Sequence, residues 1–225
     1  MIRLSGISKI YPGGQRTMSA LEPTNLSVNA GEFVVIVGRS GSGKSTLLGI
    51  AGGLLRPTAG DVILNDQSLW TLDEKKLAQF RAQQIGFVFQ NASVVQSLIL
   101  LENVMLANLF TDSQDKTAER RARLLLADVG LGDRAHAYPD QISGGEKRRI
   151  AVASALMNTP PLLLADEPTG ELDSETENQI MALLQQANGQ GTTVLLVTHN
   201  RDLTHYAHRV CTMEQGRLIE QGVGP

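Results

Sequence analysis

Gly38-Arg39-Ser40-Gly41-Ser42-Gly43-Lys44-Ser45-Thr46 follows the apolar run Phe33 to Val37 directly and precedes the helical-looking stretch Ser45 to Ala51. Few patterns restrict a fold as tightly, because G-x-x-x-x-G-K-[ST] does its work only as the turn between a buried strand and a helix. Glycines at 38, 41 and 43 allow positive φ, so successive N–H groups can turn inward as an anion nest at the helix N-terminus. Lys44 adds a point charge for the β- and γ-phosphates of a nucleotide, and Ser45 a hydroxyl for Mg2+. The competing reading is a Gly- and Ser-rich turn without a ligand.

Short apolar runs recur between helical patterns at Ile85 to Phe89, Leu162 to Ala165 and Thr193 to Val197. Runs of this kind read as strands buried on both faces, whereas alternation at Leu26, Val28 and at Val62, Leu64 marks half-exposed antiparallel strands nearer an edge. The expected class is α/β with a mixed sheet. From about 91 to 158 the pattern turns helical, with Leu124, Leu125, Leu126 and Val129 expected along one face of a helix from Ala118 to Val129. At 225 residues the chain suffices for one large domain with an inserted subdomain.

Composition narrows the function classes. Hydrophobic residues at 42% and charged residues at 19% exclude a disordered chain. A net charge of −3 lacks the positive excess that phosphate-backbone binding uses, so no nucleic-acid partner is expected. The single cysteine, Cys211, cannot form an internal disulfide, which points to a reducing cytosol. No apolar run approaches the roughly 20 residues of a membrane helix. Met1 to Gly6 reaches Tyr11-Pro12-Gly13-Gly14 before a signal peptide could develop, so no direct membrane insertion is expected.

Two further constellations carry chemistry. Leu162-Leu-Leu-Ala-Asp166-Glu167-Pro168 is an apolar strand ending in two carboxylates, at the strand end where open α/β sheets bind ligands. Asp166 is expected to orient Mg2+ or its water and Glu167 to take a proton from attacking water, with Pro168 biasing Glu167 to an extended conformation. An acidic turn before the helix from about Ser174 is the structural alternative. Ser143 and Glu146 form a capping box that opens a helix from Lys147 to Met157. Gly144 and Gly145, poor helix formers in that first turn, suggest instead the close approach of an anion to backbone N–H groups.

Phosphate loop, Ser-Gly-Gly turn, Asp-Glu strand end and a later Thr198-His199 occur in the order found in the ATP-binding subunits of ABC transporters, which the chain resembles from Tyr11 to Gly216. The resemblance implies a P-loop NTPase core of the RecA-like type, formed by residues 1–90 and 159–225. An N-terminal antiparallel β subdomain and an α-helical signature subdomain over 91–158 complete the expected domain. It implies that Tyr11 stacks on adenine and that the first Walker motif spans Gly38 to Thr46. Gln90, in Phe87-Val88-Phe89-Gln90, would sense Mg2+ and a transmembrane partner. The signature maps to Ile142 through Glu146, the second Walker motif to Leu162 through Glu167, the D-loop to Glu171-Leu172-Asp173, and the switch histidine to His199. The chain departs from the family's Leu-Ser-Gly-Gly-Gln at Ile142 and at Glu146, whose carboxylate is expected close to bound phosphate. Glu171 adds a negative charge near the expected dimer seam.

Ile85-Gly-Phe-Val-Phe-Gln90, Leu101-Glu-Asn-Val104 and Ala165 through Ser174 resemble the lipoprotein-release, macrolide-export and cell-division branch of that family. The implied protein is an ATPase that needs ATP and Mg2+ and closes as a head-to-tail homodimer around two ATPs. It would lie on the cytoplasmic face of the cell membrane and drive an integral-membrane permease. A regulator of a membrane complex with no transported substrate remains the alternative. Permease docking is expected around Gln90, on Asn91 to Leu101, where Val94, Val95, Leu98 and Ile99 form an apolar cluster that could equally be internal packing. His136, His205 and His208 lack metal-ligand spacing, and Arg120-Arg121-Ala122-Arg123 reads as a solvated face. Lys147-Arg148-Arg149 could steer an anionic nucleotide. Cys211 reads as a small buried hydrophobe and Trp70 as an anchor for the loop before Asp73.

Overall fold

Alternate residues of the first strand set the smaller of two sheets. In β1 (Ile2–Tyr11), Ile2 lies between Val28 of β2 (Met18–Val28) and Leu64 of β4 (Ala59–Leu64), and Leu4 lies between Leu26 and Val62. These cross-strand aliphatic rows are buried on one face, which fixes the antiparallel register. With β5 (Gln67–Ser68) the order is β2-β1-β4-β5. The computed structural model describes residues 1–12, 17–91, 93–110, 117–170 and 172–220.

The larger sheet contains the apolar runs expected as buried strands: β3 (Phe33–Val37), β6 (Ile85–Val88), β7 (Leu162–Asp166) and β8 (Thr193–Thr198). They join β9 (Arg209–Glu214) and β10 (Arg217–Glu220) in the order β10-β9-β3-β8-β7-β6, parallel except for β10. Val34 and Ile36 of β3 face a core shared with α1 (Lys44–Ala51) and the antiparallel sheet. Phe33, Val35 and Val37 face the opposite core, which includes Ile180, Met181 and Leu184 of α6 (Ser174–Gly189). Burial on both faces explains why the strand is apolar throughout.

The helical block has its own apolar cluster. It joins Leu100, Leu101 and Val104 of α3 (Leu100–Met105), Ala122, Leu125 and Leu126 of α4 (Ala118–Asp128), and Ile150 and Ala153 of α5 (Gly144–Ala155). Leu124 departs from expectation: it is 58% exposed, because the 3.6-residue repeat through Ala118, Ala122, Leu125 and Val129 leaves position 124 on the far side. Arg121 also departs from a solvated face, since its guanidinium caps the end of α5 through the carbonyls of Leu156 (2.9 Å) and Met157 (2.5 Å). The remaining helix, α2 (Glu74–Gln84), covers the sheet beside β6. No helix among the described residues is long and apolar enough to cross a membrane.

Cys211 is fully buried in β9, and burial pushes its thiol from 9.0 up to about 11. Thiolate at neutral pH is therefore about 100-fold scarcer than in an unfolded chain, with access blocked as well. Thiol titration of the native protein should be at least that much slower than in denaturant. Comparable rates would show that β9 opens readily.

Candidate active site

Four parallel strands deliver the predicted residues to one edge of the sheet. Val37 pairs with Thr198, Val197 with Asp166, and Ala165 with Val88, so the phosphate loop, His199, the Asp166-Glu167 pair and Gln90 leave adjacent strand ends. The Gly38 N–H donates to the Thr198 carbonyl (3.1 Å), and the Glu167 N–H to that of Val197 (2.9 Å), extending the ladder into the site.

The loop folds around a close backbone approach. A Cβ at Gly38 would lie 2.4 Å from the Met213 carbonyl oxygen, and one at Gly43 only 2.5 Å from that of Ala20; Gly43 also has φ +106°. Larger residues fit neither position. Ser42 is buried, its hydroxyl without a hydrogen-bond partner among the described residues, while Arg39, Ser40, Gly41 and Ser45 are exposed and Thr46 is half-buried in the first turn of α1. The Lys44 ammonium is buried inside the loop. It donates to the Gly38 (2.8 Å) and Arg39 (3.2 Å) carbonyls and lies 3.4 Å from the Glu167 carboxylate.

Glu167 is not extended. It adopts φ +46°, because its N–H must bond Val197 while its carbonyl accepts the Gly170 N–H (3.1 Å) in a tight turn. A non-glycine residue there costs on the order of 1–3 kcal/mol and persists when its surroundings over-determine it. Those surroundings are dense: one carboxylate oxygen accepts from the Thr198 hydroxyl (2.9 Å) and the His199 N–H (3.1 Å), and meets His199 Nδ1 at 2.9 Å. Burial pushes the Glu167 carboxyl up, but the His199 ring and N–H, the Thr198 hydroxyl and the Lys44 charge outweigh it and hold the group below the usual range. Glu167 is therefore ionised at neutral pH.

Asp166 is opposite in character. Burial raises its carboxyl above the usual range, the Ser45 hydroxyl pulling it down and the neighbouring Glu167 charge adding to the rise. Its Oδ1 is buried and without a hydrogen-bond partner among the described residues. An orphaned carboxylate oxygen beside a serine hydroxyl suits a hard, oxygen-seeking cation such as Mg2+.

The Ser-Gly-Gly turn lies elsewhere. Ser143 caps α5 by accepting the Glu146 N–H (3.2 Å), and Gly145 packs against α6, where a Cβ would meet Thr176 at 2.9 Å. Asp173 in turn caps α6 through Thr176 (2.9 Å). Glu146 turns back: its carboxylate accepts the Ser143 N–H (2.8 Å) and pairs with Arg134 (3.1 Å). The Ser143 N–H chiefly, aided by the Ser143 side chain and Arg134, holds its carboxyl below the usual range against a smaller effect of burial. Among the described residues no hydrogen bond or ion pair joins Ser143, Gly144 or Gly145 to the phosphate loop. Glu171 lies outside the described residues.

Tyr11 ends β1 opposite Met18, two residues along β2 from the Ala20 carbonyl that faces Gly43, and the Lys9 ammonium stands 5.3 Å from its ring centre. Gln90 is exposed. Its carbonyl and that of Phe89 accept from Arg148, whose other amino group reaches the Gly170 carbonyl (3.5 Å). Arg149 bonds Gln179 on α6. Arg148 and Arg149 thus brace the protein through side-chain hydrogen bonds. Val94 and Ile99 pack on the helical cluster while Val95 is exposed, and the buried Asn103 side chain holds the loop through Val95 (2.7 and 3.1 Å) and Leu98 (2.9 Å). Sequence reasoning missed Asn103, Glu177 and Asn200, which belong to no motif, and did not foresee the bracing contacts of Arg148.

A family model described as "ABC transporter" matches residues 21–170. The macrolide export ATP-binding/permease protein of Rhodopirellula baltica is 45% identical over 223 residues, covering 98% of this chain and 33% of that protein. The chain thus spans about one third of the length of the macrolide-export relatives it matches. An uncharacterized ABC transporter ATP-binding protein of Methanocaldococcus jannaschii is 42% identical over 221 residues, covering 98% of both chains. Among solved structures, a dimeric post-hydrolysis state of an ATP-binding cassette bound to ADP and Pi is similar at a TM-score of 0.90, with 38% identity and 98% coverage of each chain. Phosphate loop, paired carboxylates and a matched cassette along nearly the whole chain have one consequence: the chain belongs to the ABC transporter family as an ATP-binding, ATPase cassette.

Proposed function

We propose that the chain closes as a homodimer around two ATPs and powers an integral-membrane permease from the cytoplasmic face of the cell membrane, acting on a substrate at the outer face. The observation that carries the reading is the approach of the Lys44 ammonium to the Glu167 carboxylate at 3.4 Å, which places a phosphate-binding cation and a proton acceptor within one phosphoryl group of each other. Lys44 exchanges the Gly38 and Arg39 carbonyls for the β- and γ-phosphates, and the loop N–H groups bind the same oxygens. Glu167 orients a water in line with the γ-phosphate and accepts its proton, while His199 holds the carboxylate and contacts the γ-phosphate. Asp166 and Ser45, with Gln90, would hold Mg2+, which would supply charge neutralisation at the phosphates. Tyr11 supports the adenine.

We assign residues 1–90 and 159–225 to the nucleotide-binding core and 91–158 to the signature subdomain, which the separate apolar cluster supports. Gly145 abuts α6 and not its own phosphate loop. That placement favours completion of each site by the Ser143, Gly144, Gly145 turn and Asp173 of a second copy. Dimerisation in a solved relative points the same way. Permease movement is coupled through Gln90, whose loop Arg148 ties to α5.

Mixing tests the trans arrangement. Ser143→Arg and Lys44→Ala homodimers each lack both composite sites, whereas their heterodimer contains one intact site. Activity above both parents is expected. A silent mixture with heterodimers confirmed by differential tagging would contradict it.

A further inference from the structure

The residues around Glu167 and His199 are held from behind by a carboxylate that the reaction itself does not use. Glu177 stands in the first turn of α6, where the helix dipole favours a negative charge. One oxygen, Oε2, accepts from the Thr169 hydroxyl at 2.9 Å and from Asn200 Nδ2 at 3.1 Å. Thr169 is buried two residues beyond Glu167, inside the turn that keeps Glu167 at positive φ. Asn200 directly follows His199 and donates its N–H to the Thr198 hydroxyl (3.0 Å), the same hydroxyl that donates to Glu167. Asn200 also caps the next turn through Asp202 (2.9 Å), so its side chain is fixed at both ends.

We propose that Glu177 is a positioning residue, which clamps the Glu167 turn to the His199 loop and so sets the distance between base and histidine during hydrolysis. The proposal rests on the roles given above to Glu167 and His199. The β7–β8 ladder ends at the Glu167 N–H bond to Val197, and beyond it the Glu167 turn and the His199 loop are tied by the Glu167 carboxylate in front and the Glu177 carboxylate behind. A single oxygen shared between donors from both loops makes their separation one quantity. Errors of about 1 Å in such geometry cost up to roughly 100-fold in rate.

Steady-state turnover of Mg-ATP by the full chain tests it. Glu177→Ala should lower kcat about 10- to 100-fold with KM within about threefold of wild type, because nucleotide contacts lie elsewhere. Glu177→Gln should recover kcat to within about threefold, since one amide oxygen can accept both bonds. In a Thr169→Val/Asn200→Ala background, Glu177→Ala should add nothing further. Wild-type kcat in Glu177→Ala, equal loss in Glu177→Gln, or full additivity would each overturn the clamp. If Glu177→Ala loses its cooperative melt, Thr169→Val decides: lowered kcat at unchanged KM supports the clamp, and wild-type kcat overturns it. Glu167→Gln measured alongside separates the failures. Its retained turnover would remove the base assignment, whereas a stalled Glu167→Gln beside a normal Glu177→Ala would remove the clamp alone.

Discussion

Lys44→Ala should abolish detectable hydrolysis and weaken ATP binding about 100-fold or more. The ammonium is buried and makes two hydrogen bonds to loop carbonyls besides its approach to Glu167, so the loop is shaped around a cation. A charge-assisted hydrogen bond contributes about 1.5–3 kcal/mol, and each 1.4 kcal/mol is tenfold in affinity. Losing one such contact to each of two phosphates gives the stated magnitude. The substitution also removes a positive charge that helps hold the Glu167 carboxyl low, so the remaining acid moves toward its ordinary range. Titration calorimetry with ATP reads the effect directly. Wild-type affinity in Lys44→Ala would place the phosphates away from this loop.

Glu167→Gln should bind ATP with near-normal affinity yet lower turnover by about 10²–10⁴-fold, the usual contribution of a positioned general base. The amide keeps the side-chain shape and can still accept from Thr198 and His199, so the positive-φ turn at 167 survives. What it loses is a proton-accepting charge. Single-turnover phosphate release, started by mixing preformed complex with Mg2+, isolates the chemical step from nucleotide exchange. A burst at wild-type rate would remove Glu167 from the base role.

Much of the larger sheet was legible in the sequence because each strand's signal is local. Phe33 to Val37 and Leu162 to Ala165 are apolar at every position, as double-sided burial requires, and the phosphate loop carries its own flanks. Glu167 was misread because the pre-proline bias describes an isolated dipeptide. Here the Val197 and Gly170 hydrogen bonds override it. Leu124 was misread because three consecutive leucines hide the register, and only the helix phase set by Ala118 and Ala122 assigns one of them to solvent. Arg121 and Arg148 looked like surface charges, since the carbonyls they cap belong to segments 22 to 59 residues away. Site residues at strand ends were visible as types, whereas the Glu177 bridge joins three segments and has no sequence pattern of its own.

In the proposed cycle two copies close around ATP and open after Glu167-dependent hydrolysis. Molar mass by light scattering of Glu167→Gln, with and without Mg-ATP, tests it most directly, because the stalled variant should accumulate the closed form. The mass should double with Mg-ATP and return to that of the monomer when Lys44→Ala is added. A Glu167→Gln protein that binds ATP stoichiometrically and remains a monomer would contradict it.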